Sequence, residues 1–357
     1  MVGRTAGARA DHPGLPQHGP GRRPHPRDRE MTEDARQNTD PRGIVFLFGG
    51  QGSQHYRMGE ELFQRNATFR HWMERGDALL RPITGRSILH EMYEAEHRVS
   101  ENFDDLELTH PIIFLYEYAL ASALIEAGVR PAAVLGVSLG EAAACAVAGV
   151  LAFDDLVLAL GRQAIALNRG CRAGGMFAVI ADPKTFTDSP VLGRRATLAG
   201  VLGPTHYVIA VPDTWMADVE AHLRAQDLLY SRLPVRQPFH SSWVEPLPPG
   251  VEAALAPLRF MPPQVPVYSS RTAGPVEQPT ATHLLRAALD PMRLRDTVLR
   301  LESRGPFRYV DVTPSGTIAN LVNANVRGSA SSVQAIGSPF GREAAALDRV
   351  LDKLRAA

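Results

Sequence analysis

Cysteine is nearly missing from this chain: its 357 residues hold two, Cys145 and Cys171. Two thiols can build neither a disulfide framework nor a four-cysteine zinc site, and a reducing, cytoplasmic setting is expected. Lysine is as scarce, with only Lys184 and Lys353, so the basic residues are almost all arginine. A bias in base composition accounts for that without any function. Net charge is missing as well, since Lys+Arg and Asp+Glu both stand at 38. That balance gives no global signal for nucleic acid or a membrane surface. No run reaches the roughly 18 apolar residues of a membrane span, so no transmembrane helix is expected. There is no H-E-x-x-H and no Rossmann glycine pattern in its proper context, so no metal and no nicotinamide site is expected.

What is present is a chain that can fold. Hydrophobic residues make up 45% and charged residues 21%, so a core can form, and the length suits one large α/β domain carrying a smaller inserted one, or two ordinary domains. Residues 1–42 are set apart by Pro, Gly, Arg and His and lack an apolar segment, so they read as a disordered tail and not as a secretory signal. Met31 is a candidate start within it.

The globular part opens with Ile44-Val45-Phe46-Leu47-Phe48, an apolar run ending in Gly49-Gly50-Gln51-Gly52. That pattern predicts a buried parallel strand followed by a tight turn. Helices are predicted over Met58–Leu80 and Pro111–Ala127, the second with Pro at its start and Gly128 past its end. A second buried strand, Ala132–Gly136, runs through Val137-Ser138-Leu139-Gly140 into an Ala-rich helix from Glu141 to Ala148. From Gly175 the pattern changes. Strands are predicted at Met176–Ile180, Tyr207–Val211 and Tyr230–Val235, a helix at Thr214–Ala225, and a stretch rich in Pro, Gly and Arg over 182–200. Together these predict a small α+β insert at 174–237, flanked by core segments 43–173 and 238–357. A late strand is predicted at Phe307–Val312 and a terminal helix at Arg342–Leu354.

Gly136-Val137-Ser138-Leu139-Gly140 matches G-x-S-x-G at the end of an apolar strand and the start of a helix. Small residues at both flanks let the chain turn sharply and present the serine hydroxyl at the sheet's carboxyl edge. The following helix N-terminus offers N–H groups to a developing oxyanion. A nucleophilic serine needs a base. His240, in Gln237-Pro238-Phe239-His240-Ser241, sits just after the predicted insert and is the leading choice. His55, His71, His90, His97, His110, His206, His222 and His283 also exist and are expected mostly at the surface.

Two of these segments together are specific. Gly50-Gln51-Gly52-Ser53-Gln54 resembles the G-Q-G-S-Q signature of the malonyl-CoA:acyl carrier protein transacylase family, which includes the acyltransferase domains of polyketide and fatty acid synthases. Gly136 to Glu141 resembles its G-H-S-L-G-E motif, Phe239-His240-Ser241 its histidine motif, and Val312-Thr313-Pro314-Ser315-Gly316 its late turn. The resemblance spans residues 43 to 325. It implies an α/β-hydrolase-like core with a parallel sheet and a ferredoxin-like insert. It also implies Ser138 as nucleophile, His240 as general base, and the N–H groups of Gln51 and Leu139 as oxyanion hole. The histidine is then oriented by a backbone carbonyl within Leu284–Asp290, with Ala287 the expected donor of that carbonyl. Acyl-CoA or a phosphopantetheinyl carrier protein is the implied substrate, with no bound cofactor, and acyl carrier protein the implied partner.

Departures from the family pattern bear on substrate. Malonyl-transferring members carry an Arg on the helix after the nucleophile, where counting from Ser138 places Gln163; Arg162 is one residue off, about 100° away around a helix. Val137 replaces the usual His, Leu202 falls where Asn is frequent, and His110 where Gln is frequent. These changes predict an acyl pocket for a non-carboxylated group, with Phe239 favouring acyl chains without an α-branch. Gln at the Arg position resembles stand-alone proteins of polyketide pathways, some transferring acyl groups between carrier proteins and some hydrolysing acyl thioesters. Arg169, Arg172, Arg286, Arg293, Arg295 and Arg300 are candidates for docking an acidic carrier protein. A non-catalytic docking module and a lipase-type esterase are the remaining alternatives, and neither accounts for the intact Ser138, His240 and Gly50–Gln54 together.

Overall fold

The structure is a computed structural model that describes residues 42–355, so the predicted tail lies outside the described residues. Ile44–Phe48 forms β1, and all five residues are buried, as a strand covered on both faces requires. It pairs in parallel with β2 (Ala133–Gly136) on one side and with β9 (Arg308–Asp311) on the other. β7 (Val267–Ser269), the short antiparallel β8 (Gly274–Val276) and β10 (Ser332–Ala335) complete a sheet of order β10-β9-β1-β2-β7-β8. β1 and β2 are central, so the loops after them meet at one carboxyl edge.

The second sheet is antiparallel, of order β4-β5-β3-β6, with β3 Gly174–Ile180, β4 Thr197–Gly203, β5 His206–Pro212 and β6 Leu229–Arg232. The short helices at Lys184–Thr187 and Pro190–Arg195 and the helix Met216–Ala225 make it a βαββαβ, ferredoxin-like unit. β4 begins in the stretch 182–200 and runs past it, and register shifts between Leu198 and Gly200 and between Val201 and Gly203 break its strict alternation. Gly200 bridges the insert to the core through Met292, with Val201 N–H and Met292 N–H donating to Met292 O and Ala199 O at 2.9 Å each. A Cβ on Gly200 would lie 2.8 Å from the Met292 side chain, so the seam needs glycine there.

Two helices differ from expectation. The predicted helix 58–80 is broken: Glu60–Arg65 ends at Asn66, whose side chain accepts from Phe69 N–H at 2.8 Å and caps the helix Ala67–Thr84. Such a cap contributes about 1 kcal/mol. The helix expected from Pro111 instead runs Leu106–Glu126, capped by Asp105 through Glu107 N–H. Pro111 therefore sits in its second turn, where the missing donor costs one intrahelical bond. This helix is long and apolar enough to cross a membrane by length and composition, yet 83% of its most apolar stretch is buried in the protein. A helix apolar all round is the expected form of a central core helix.

Candidate active site

The turn after β2 is forced by close packing. A Cβ on Gly136 would lie 2.4 Å from Glu141 Cα, and one on Gly140 would lie 2.4 Å from Phe48 O and Gly49 O. Glycine at both positions lets the strand fold directly into the helix Gly140–Val147 against the end of β1. Ser138, between them, has φ 58°, a left-handed backbone that few non-glycine residues adopt.

His240 meets it. Its Nε2 lies 2.8 Å from Ser138 Oγ, and its own φ is also 58°. Its Nδ1 donates to Asp290 O at 2.8 Å, and its backbone N–H donates to Ala288 O at 3.0 Å. The Nδ1 bond places the proton there and leaves Nε2 with a lone pair facing the hydroxyl. Burial lowers the His240 pKa below the ordinary value, partly offset by the bond to Asp290 O and by the charges of Glu141 and Asp290. The imidazole is therefore neutral near pH 7, the form that accepts a proton. The orienting carbonyl is that of Asp290 and not of Ala287. Ala287 lies in the last turn of the helix Ala281–Ala287, where carbonyls run along the axis, whereas Asp290 lies beyond its end and is free to face the ring.

The loop after β1 is braced from below. Gly49 N–H donates to Glu117 Oε1 at 2.8 Å, and Gly52 N–H donates to Gln54 Oε1 at 2.7 Å. Gln54 Nε2 ties the loop to Phe103 O and Pro234 O at 2.9 and 3.1 Å. Burial raises the Glu117 pKa well above the ordinary carboxylate value, partly offset by the bond from Gly49 N–H. Gly50 is pressed onto the serine, since a Cβ there would lie 2.9 Å from Ser138 Cβ and 3.2 Å from Leu139 N. Among the described residues neither Gln51 N–H nor Leu139 N–H has a protein acceptor. Both polar atoms of the Gln51 side chain are also buried without a partner.

Two chambers open beside Ser138, and Gln51 and Phe239 line both. The narrow one, about 40 Å³, is walled by Leu139, Leu160, Leu167, Leu255, Ala287 and the pair His110 and Gln163. The His110 Nε2–Gln163 Oε1 distance is 3.1 Å, and His110 is pushed down to about 4 by burial, so the pair is uncharged near neutrality. Gln163 is buried while Arg162 is exposed. The wide one, about 170 Å³, lies against the insert and includes Val137, Met176, Leu202, Leu233, Met292 and Ile318. The ten residues expected from the sequence at the catalytic centre and acyl pocket thus all line one of the two chambers, whereas none of the six arginines expected to dock a carrier protein does. Asp290 and Glu117 were not singled out, although Asp290 closes the stretch in which an orienting carbonyl was expected.

Comparison with known proteins places the chain in a family. The chain is 38% identical over 312 residues to the polyketide biosynthesis acyltransferase homolog BaeD of Bacillus velezensis, covering 87% of this chain and 96% of that protein. It is 38% identical over 307 residues to the polyketide biosynthesis protein ThaF of Burkholderia thailandensis, covering 85% of this chain but 26% of that longer one. The crystal structure of the acyl transferase domain of SpnD in complex with 2-(pent-4-yn-1-yl)malonyl superposes with a TM-score of 0.80 at 25% identity, over 89% of this chain and 77% of that one. Residues 45–349 match the family model of the acyl transferase domain, and the chain belongs to that family of enzymes.

Proposed function

We propose that this acyltransferase moves a non-carboxylated acyl group between thioesters through an ester on Ser138. The observation that carries the reading is the 2.8 Å contact between Ser138 Oγ and the neutral, carbonyl-oriented His240. In the first half-reaction His240 Nε2 takes the hydroxyl proton as Oγ attacks the thioester carbonyl. The tetrahedral oxyanion is held by Gln51 N–H and Leu139 N–H, and the proton passes to the departing thiolate. In the second, an incoming thiol gives its proton to His240 and takes the acyl group, and that proton passes from Nε2 to Oγ as the ester bond breaks.

The acyl group occupies the narrow chamber. A malonyl carboxylate buried there needs a cation, and burying an unpaired charge costs several kcal/mol. His110 and Gln163 offer only neutral polar groups, which favours an uncharged acyl chain. The wide chamber takes the thiol-bearing arm, and a polyketide carrier protein is the proposed donor or acceptor, in keeping with the names of the relatives. Of the arginines proposed to dock it, Arg286 pairs with Asp290 and Glu245, and Arg293 pairs with Asp296. Arg169, Arg172, Arg295 and Arg300 make no ion pair among the described residues and are the stronger docking candidates.

The test is intact-mass analysis after incubation with malonyl-CoA, acetyl-CoA and acyl carrier protein thioesters, with and without free carrier protein. An acetyl or longer ester that moves to the carrier supports transfer. Stable malonyl loading overturns the reading of Gln163, and rapid loss to water without an acceptor makes the protein a thioester hydrolase. Labelling that survives Ser138→Ala removes the nucleophile.

A further inference from the structure

Behind His240 lies a set of buried polar side chains that neither half-reaction uses. Glu141, on the first turn of the nucleophile's helix, is 1% exposed and accepts from Ser269 Oγ at 2.8 Å and from Arg271 N–H at 3.2 Å. His283 Nε2 lies 2.7 Å from Glu141 Oε2, in contact though without hydrogen-bond alignment. The other nitrogen, His283 Nδ1, accepts from Arg271 Nη2 at 3.0 Å, which places the ring proton on Nε2. Arg271 Nη1 then reaches Asp290 Oδ2 at 3.4 Å, and Arg286 grips the same carboxylate from outside. Asp290 supplies the carbonyl that orients His240.

We infer that Arg271, with His283 and Glu141, is a positioning device that ties the nucleophile's helix to the carbonyl orienting His240, and so fixes the distance between Ser138 and His240. The inference rests on the proposed roles of those two residues. The reason to separate it from ordinary packing is its path. It starts one turn from Ser138, crosses to β7 and the helix Ala281–Ala287, and ends on the residue whose carbonyl holds the base. Asp290 stands beyond that helix, so the helix ladder does not fix its carbonyl. The anchor is its side chain, held between Arg271 and Arg286. The charged groups facing His240 are Glu141 and Asp290, with these two arginines behind them.

The test follows the labelling rate of Ser138 by an alkyl fluorophosphonate between pH 5 and 9. Arg271→Gln should slow labelling about 10- to 100-fold, the range seen when a supporting contact behind a reactive group is lost. Its acidic limb should move to higher pH, because loss of a cation lets His240 hold its proton more tightly. Asp290→Asn keeps the backbone carbonyl but loosens its anchor. It should also slow labelling, with the limb moving to lower pH because an anion beside the imidazolium is gone. Arg271→Lys keeps the charge, so its limb should stay and part of the rate should return. Opposite limb shifts in folded variants are not produced by general loosening of the structure. Unchanged rates in Arg271→Gln and Asp290→Asn, or rate losses with unmoved limbs, overturn the inference. His240→Ala is the control. If it labels as fast as the parent, the base assignment itself fails. If it is slow while the other two are normal, only the positioning device fails.

Discussion

The two chambers beside Ser138 are built from different parts of the molecule. The narrow one is cut into the core, between the helices Leu106–Glu126 and Phe153–Gly170 and the segment 284–288, and two of its polar side chains, His110 and Gln163, are already joined to each other. The wide one lies where the core loops meet the ferredoxin-like sheet, and its walls are Met, Leu and Ile side chains from both units. A chamber walled by one packed core discriminates by shape and charge, because close-packed interiors resist deformation. A seam between two units is better suited to passing a long flexible arm. If the proposed division of labour holds, acyl choice and thiol traffic can be altered separately, and each prediction below probes one side or the ground around Ser138 that they share.

That ground is the most sensitive place. A methyl at Gly50 would stand 3.1 Å from Ser138 Oγ and 3.2 Å from Leu139 N, beside the N–H group proposed to hold the oxyanion. Gly50→Ala should cut acylation about 10²- to 10³-fold with every thioester, as for loss of one oxyanion donor. Burst kinetics with p-nitrophenyl acetate would measure it. A loss confined to long substrates would mean that the methyl only obstructs the wide chamber, which Gly50 lines, and leaves the ground beside Ser138 open.

Gln163→Arg tests the narrow side. The substituted guanidinium would enter a wall where only neutral groups stand, and could pair bidentately with a carboxylate. The ratio of malonyl to acetyl loading on Ser138, read by intact mass, should rise about 10-fold or more. An unchanged ratio would mean that position 163 does not set acyl charge. On the wide side, Leu202→Trp should raise KM for a carrier-protein thioester about 10-fold. It should leave acylation by p-nitrophenyl acetate within about 2-fold, since a two-carbon acyl group has no arm to seat. Equal effects on both substrates would erase the distinction between the chambers.

How much of this was legible beforehand depended on whether the physics was local. Strand β1, the elbow around Ser138 and the helix after it are fixed by a run of apolar residues and two obligatory glycines, and these could be read from the chain. Gln163 could be placed by helical counting from Ser138, because helix geometry is rigid over 25 residues of short connections. The orienting carbonyl could be narrowed to seven residues but not chosen. Which carbonyl faces a ring depends on where a helix ends, and Ala281–Ala287 ends three residues before Asp290 turns inward. Glu117 was invisible for a different reason. It lies on the long core helix, and its partner Gly49 is 68 residues away, so nothing local marks it. The helix start at Leu106 was missed because Pro111 looked like a first residue, whereas the Asp105 cap carries the start.

The smallest expected effect is none at all, and it bears on the narrow chamber. His110 stands against Gln163, and burial holds its pKa at about 4, against an ordinary value of 6.5. A lowered pKa means that the ring stays neutral as pH falls from 8 to 5.5, whereas an unperturbed histidine would become mostly charged over that interval. An imidazolium in this wall would pair with a carboxylate and draw malonyl into the chamber. The ratio of malonyl to acetyl loading should therefore stay flat from pH 8 to 5.5, because any slowing from protonation of His240 acts on both loadings alike. Intact-mass measurement of the two esters in one mixture gives the ratio directly and cancels the shared loss. A ratio that climbs on acidification would show that His110 charges within the working range. The narrow chamber would then be a conditional carboxylate site, its acyl choice set by pH as well as by the residue at 163.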